Sequence, residues 1–278
     1  MYILTEIRKM YKNYFIRVMI CILLVVAVLD PICTYIECVS SNIFSNDIGT
    51  NAFQFWILMN SSGWGHAVFF MFFFVLPIVS TGFVFFYEQK GSLLEITINK
   101  VGRKKYFRAK LIVLFIITFI NILSVLLINL AITYVIFDTE SMTEQYFYCV
   151  PQQGTFAETL YGIEPFVMGI FYCILYALIQ AILSLWALGI QMIGKFKKIY
   201  VAFAVPFVIL YVLDYLFGIL SARYEVDAYN PLIFVQPKAA NALVEIITWK
   251  HIFITMGIMI LCSMLLLFYG AKRNEDIL

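Results

Sequence analysis

The alternation of apolar and polar positions changes character along the chain. Residues 2–15 (YILTEIRKMYKNYF) are apolar at 3, 4, 7, 11, 14 and 15, while Thr5, Glu6, Arg8, Lys9, Lys12 and Asn13 fill the other side. This 3.6-residue period with a basic polar face predicts an amphipathic helix over 1–14 lying on a bilayer surface, because so many charges would be costly in hydrocarbon. Six long apolar runs follow, at about 15–36, 66–87, 111–137, 166–194, 199–220 and 251–271. Each is close to the roughly 20 residues that cross a hydrocarbon layer of about 30 Å. The basic stretch Arg8 to Arg17 ahead of the first run resembles the start of a signal peptide. No small-x-small cleavage site follows it, and Asp30-Pro31 ends the apolar stretch, so a retained span is expected. The fold class predicted is an all-α polytopic membrane protein, with 1–278 as a single transmembrane domain.

The intervals between the runs are unequal. Segment 88–110 is longer than a hairpin between neighbouring spans needs. Within it, Ser92-x-x-Glu95 has the form of a capping box. Leu93, Leu94, Thr97, Ile98 and Val101 then share one face, and Gly102 supplies a left-handed stop. These features predict a capped cytosolic helix of about two turns. Its apolar face either docks on a partner, the reading the loop length favours, or lies back on the bilayer beside Arg103, Lys104, Lys105 and Arg108. Segments 138–165 and 221–250 are expected as outer loops. Residues 52–59 (AFQFWILM) and 231–249 (PLIFVQPKAANALVEIITW) are apolar yet too short or too broken to span. The second is expected either to re-enter the outer leaflet as short helices or to lie at the interface anchored by Trp249.

Composition sharpens this picture. The chain is 63% hydrophobic and 13% charged, with a mean hydropathy of +0.92. That excludes a soluble enzyme, a disordered chain and a nucleic-acid binder. The net charge of +2 hides a strong asymmetry: 16 of the 19 Lys and Arg fall before span 1, between spans 2 and 3, between spans 4 and 5, or after span 6. The positive-inside rule therefore places both termini in the cytoplasm. Loop 138–164 carries Asp138, Glu140, Glu144, Glu158 and Glu164 without a Lys or Arg, as suits an outer loop. The six Cys form no CxxC pair and are expected as free thiols, with no metal site.

No enzyme motif is recognisable, so no catalytic residue is assigned. Gly189-Ile-Gln-Met-Ile-Gly194-Lys195 matches the first seven positions of a phosphate-binding loop, but Phe196 stands where Ser or Thr is needed and no strand precedes it. Ser61, Ser62 and His66 lack an orienting acid and are expected as interfacial polar groups. Asp214 and Asp30 are the carboxylates within spans. Buried acids there suggest a pathway or a partner; for Asp30 the favoured reading is a helix-end residue near headgroup water, and for Asp214 a functional and a structural role stand level. Asn121, Ser124, Asn129, Gln180 and Ser184 are expected to join helices by hydrogen bonds.

The segment Tyr87-Glu88-Gln-Lys-Gly91-Ser-Leu-Leu-Glu95, followed by Arg103-Lys-Lys-Tyr-Phe-Arg-Ala-Lys110, together with the whole-chain layout, resembles the ABC-2 family of transporter permeases found in bacterial exporters. The resemblance implies that 92–101 is a coupling helix fitting a groove on a separate ATP-binding subunit, with Glu88, Gly91, Ser92, Leu93, Leu94, Glu95, Ile98 and Val101 as docking residues. It implies that 2–14 is a connecting helix, and that spans 1, 2 and 5 line a path between two permease protomers, equal or different. Asp214 and Asp30 become candidates for that path. ATP and Mg²⁺ would then sit on the partner chain, leaving this chain without a cofactor, embedded in the bacterial plasma membrane. Cargo in this family ranges over drugs, antimicrobial peptides, lipids and polysaccharides. Three other readings stand beside it: a secondary transporter driven by ion gradients, an intramembrane enzyme, and a non-transporting immunity or sensor subunit of the same fold. The first of these would show internal repeats and broken mid-span helices.

Overall fold

The computed structural model describes residues 2–41, 51–90, 93–137, 151, 153–224, 226–237 and 246–273. Helix α1 (Tyr2–Lys12) ends at Asn13, whose extended backbone (φ −68°, ψ 124°) breaks the helix. The Asn13 side chain accepts the Phe15 N–H at 2.9 Å and so caps α2 (Tyr14–Ser40). The amphipathic segment is thus a separate helix joined to the first span by one residue. It presses Glu6 and Met10 into the protein and leaves Leu4 and Tyr11 exposed.

The chain continues through α3 (Ala52–Phe55), α4 (Trp64–Met71), α5 (Val75–Lys90), α6 (Leu93–Val101) and α7 (Arg103–Ile136). There follow α8 (Glu158–Ile163), α9 (Pro165–Gly194), α10 (Ile199–Tyr224), a 3-10 turn Asp227–Tyr229, α11 (Pro231–Phe234) and α12 (Trp249–Arg273). Among the described residues there is no strand. Helices α2, α7, α9, α10 and α12 are each long and apolar enough to cross a membrane, which makes this an all-α polytopic membrane protein.

Helix α9 is the axis of the bundle and packs against α5, α7, α10 and α12. Small residues let its neighbours come close. A Cβ on Gly189 would lie 2.8 Å from Cβ of Leu266 on α12, and one on Gly270 of α12 would lie 2.8 Å from Cβ of Met192. Gly189 in the apparent phosphate-loop motif therefore serves helix packing, and the motif spans the end of a transmembrane helix. Helix α10 is the opposite case, with most of its apolar surface facing outward.

Two expectations need correction. Segment 66–87 is not one helix, because α4 and α5 are separated by a turn at 72–74. The carbonyls at this break have partners from α9: Tyr176 Oη donates to the Phe69 carbonyl and Gln180 Nε2 to the Phe73 carbonyl, each at 3.1 Å. Both side chains are fully buried, so α9 replaces the lost helical bonds and makes the break tolerable in an apolar interior. Residues 103–110 are not loop but the first two turns of α7, which runs unbroken from Arg103 to Ile136.

Residues 52–59, apolar yet too short to span, are placed inside the protein. Phe53, Trp56, Ile57 and Leu58 are fully buried in the main core beside α2, α7 and α9. Asn129 on α7 accepts the Ile57 N–H at 3.2 Å and donates to the Ala27 carbonyl at 2.9 Å. His66 Nδ1 donates to the Ile57 carbonyl at 2.9 Å. A plug thus hangs into the bundle on side-chain hydrogen bonds. In the later segment 231–249, Phe234, Val235 and Ile247 are buried, while 238–245 lies outside the described residues. Partly exposed Trp249 opens α12 with its ring against Phe156 and Phe171.

Candidate functional site

The basic end of the bundle is built around α6. Glu88 lies in the last turn of α5, just before α6, and Tyr106 and Lys110 lie one turn apart at the start of α7, just after it. Gly102 makes this compact. Its N–H closes α6 on the Ile98 carbonyl at 2.8 Å, and its own carbonyl opens α7 by accepting from Tyr106 N–H at 3.0 Å. Its φ of 86° is the positive value expected for a glycine stop, although its ψ of 139° lies outside the left-handed helical well.

Into this junction α1 sends Glu6 and Lys9. The Glu88 carboxylate accepts from Tyr106 Oη at 2.5 Å, from Lys110 Nζ at 2.7 Å, and from Lys9 Nζ. Glu6 lies 3.5 Å from Lys110 Nζ and 4.0 Å from Lys9 Nζ. Glu6, Glu88, Tyr106 and Lys110 are all buried, and the two acids balance the two lysines. Burial alone would raise the Glu88 carboxyl, but the Lys110 and Lys9 ammoniums and their hydrogen bonds outweigh it and hold the group below its ordinary range. The cluster ties α1, α5 and α7 together around α6, so a force on α6 reaches three helices. Further cations clasp carbonyls at the end of α12: Arg103 donates to Ala271 at 2.5 Å and Lys195 to Arg273 at 2.7 Å.

Of the residues expected to dock, Glu88 and Ile98 belong to this junction. Ile98 is buried with Met10, Ile16 and Tyr106, while Val101 is half-buried. Ile96, on the same helix, is exposed. The face expected to be wholly free is therefore partly used inside the chain. Gly91 and Ser92, and the side chains of Leu93, Leu94 and Glu95, lie outside the described residues, and the capping box with them. Glu6, Lys9, Tyr106 and Lys110 are the partners that sequence reading passed over. Their signals were small: Glu6 is the one acid in a basic helix, and Lys110 sits at the threshold of an apolar run four residues after a Tyr.

The two acids assigned to a path occupy different surroundings. Asp30 is fully buried within α2 rather than at a helix end near headgroups. Its Oδ1 accepts the Gly65 N–H at 2.9 Å. A Cβ on Gly65 would come within 2.4 Å of that oxygen, so only glycine permits the approach. Asp214 on α10 lines a cavity of about 500 Å³ between α9, α10 and α12, roofed by the turn 226–232. Asn230 of that turn is the polar side chain beside the Asp214 carboxylate. Comparison of the chain with family models, curated proteins and solved structures yields no match.

Proposed function

We propose that this chain is the permease subunit of an ATP-driven exporter of the ABC-2 type, moving a hydrophobic or amphipathic cargo across the bacterial plasma membrane. A separate ATPase subunit carries ATP and Mg²⁺, and a second permease protomer, identical or different, completes the path. The observation that carries the reading is the junction at the basic end: α6 stands between two buried, charge-paired anchors, Glu88 and Lys110, and Lys9 and Glu6 extend the pairing to α1. A groove on an ATPase that holds α6 would pull on α1, α5 and α7 together, and two closing ATPases would thereby reshape the bundle.

In this reading α4 and α5 form a single broken crossing, the second of six, and both termini lie in the cytoplasm. Bonds to α7 from the segment ahead of α4 and from the last turn of α5 support that. Ile57 meets Asn129 and Glu88 meets Lys110, and those two α7 residues stand about 28 Å apart along the helix at about 1.5 Å per residue.

The same break is the one observation that favours a second reading, the ion-gradient-driven transporter, since discontinuous helices mark that class. Against it, the carbonyls at Phe69 and Phe73 are already engaged by Tyr176 and Gln180.

The experiment is recovery of the chain from its native membrane with whatever ATPase accompanies it, comparing wild type with Ile96→Asp. Ile96 is exposed and lies away from the Ile98 side that packs inside the chain, so the change leaves folding intact, yet a charge on this outward side, the one left for an ATPase groove to hold, lowers ATPase recovery roughly tenfold or more. Equal recovery with the variant, or transport that follows an imposed ion gradient without ATP, overturns the proposal. A partner ATPase with no cargo movement points instead to the immunity or sensor role.

A further inference from the structure

The cavity beside Asp214 has walls of one character and a single charge. Phe73, Phe217, Leu183, Leu210 and Ile258 supply aliphatic and aromatic surface. The polar groups around it are largely engaged elsewhere. Trp186 Nε1 donates to the Met259 carbonyl at 2.9 Å, Thr255 Oγ1 to the Tyr229 carbonyl at 3.0 Å, and Asn230 Oδ1 accepts from Leu232 N–H at 2.9 Å. Among the described residues that line the cavity none is Lys, Arg or His. Outside the lining, His251 packs edge-on against Tyr229 with ring centroids 4.8 Å apart, and its Nδ1 accepts from Thr248 N–H at 3.1 Å.

We infer that this cavity binds a lipophilic organic cation, its apolar body against the Phe and Leu walls and its positive charge against the Asp214 carboxylate. The chemistry selects this class. A carboxylate facing an apolar cavity lacks the compensation that a counter-charge provides, and the wall supplies none, so the ligand must bring it. Aromatic faces add attraction for a cation. A zwitterionic phospholipid headgroup would also bring a phosphate, for which the wall offers no basic residue. The volume suits a drug-sized molecule. The inference names a cargo class for the exporter reading but does not depend on it, because binding is measured on the isolated chain without ATP or any partner.

The test is equilibrium dialysis of the full chain in phosphatidylcholine nanodiscs against tritiated tetraphenylphosphonium, with empty nanodiscs subtracted. Tetraphenylborate, of the same shape and opposite charge, is run as a competitor. Saturable uptake of the cation is expected, with no competition from the borate beyond that on empty discs. Asp214→Asn weakens binding roughly tenfold or more, Asp214→Glu stays within a few-fold of wild type, and Ile258→Trp, which narrows the cavity, weakens it as well. No saturable uptake, or competition by the borate as effective as by unlabelled cation, overturns the inference on the wild-type chain alone. Unchanged affinity in Asp214→Asn also overturns it, by removing the carboxylate from the site.

Discussion

Glu88 and Asp30 are both buried carboxylates, yet the protein treats them oppositely. Glu88, at the basic end, is met by two lysines from two different helices and by a tyrosine hydroxyl. Asp30, deep in α2, is met by a backbone N–H that reaches it only because residue 65 has no side chain, and its Oδ2 has no hydrogen-bond partner among the described residues. Burial alone therefore says little about what an acid does. A counter-charge from elsewhere makes Glu88 a joint between elements, whereas a backbone donor makes Asp30 a local fitting between α2 and α4.

The comparison breaks first, and most visibly, at Glu88. Replacing it by Ala leaves Lys110 buried with only the more distant Glu6, and removes what holds α1 to α5. The expected loss is about 3 kcal/mol, read as unfolding in detergent, because removing one partner of a buried pair strands the other. The double variant Glu88→Leu with Lys110→Met should recover most of it, since no unpaired charge remains and Glu6 and Lys9 still face each other. If single and double variants unfold alike, the junction is not held by charge.

Acid sharpens the same point. The folded Glu88 carboxyl sits below its ordinary value of 4.5 because of Lys110 and Lys9. A depressed carboxyl stabilises the fold fully above its unfolded value and loses that contribution as the pH falls through its folded value. The stability gap between wild type and Glu88→Gln should hold at neutral pH and close below about pH 4. A gap that persists at low pH would mean that shape, not charge, makes the joint.

At the other site the largest expected effect is steric. In Gly65→Ala the new methyl would sit 2.4 Å from Asp30 Oδ1, so the carboxylate must turn away and the Gly65 N–H loses its acceptor. A loss of about 2 kcal/mol is expected by the same unfolding assay, combining overpacking with one buried unsatisfied donor. A neutral Gly65→Ala would mean that the two helices can separate at no cost, and that Asp30 holds nothing there.

How far these sites could be read from sequence follows from their physics. The long apolar runs and the basic N-terminal helix were legible because lipid demands them in bulk, and α9 begins and ends within a residue of the expected 166–194. The short helix before Gly102 was legible from local chemistry alone. The break at 72–74 was not, since its tolerance depends on Tyr176 and Gln180, about a hundred residues away. The buried plug at 52–59 was seen as unusual but not placed, because its anchors are single side chains on other helices, Asn129 on α7 and His66 on α4. The Glu88 cluster drew two of its five members from the N-terminal helix, where Glu6 and Lys9 looked like a solvated face. Partners far apart in sequence leave no local period to read.

The smallest effect is also the most discriminating. Asp30→Asn keeps an oxygen where Gly65 N–H needs one and changes the volume hardly at all. Among the described residues no lysine or arginine meets Asp30, so losing the negative charge strands no partner, and the price is confined to placing two amide hydrogens near an oxygen position that already lacked a donor. The expected change is under about 1 kcal/mol. Glu88→Gln is an equally conservative swap in size, yet it removes the charge that two lysines share, so it should cost distinctly more. The two amide variants, unfolded side by side at neutral pH, therefore isolate charge from shape. If Asp30→Asn is as damaging as Glu88→Gln, then Asp30 also answers a positive charge, and the distinction between a joint and a fitting collapses.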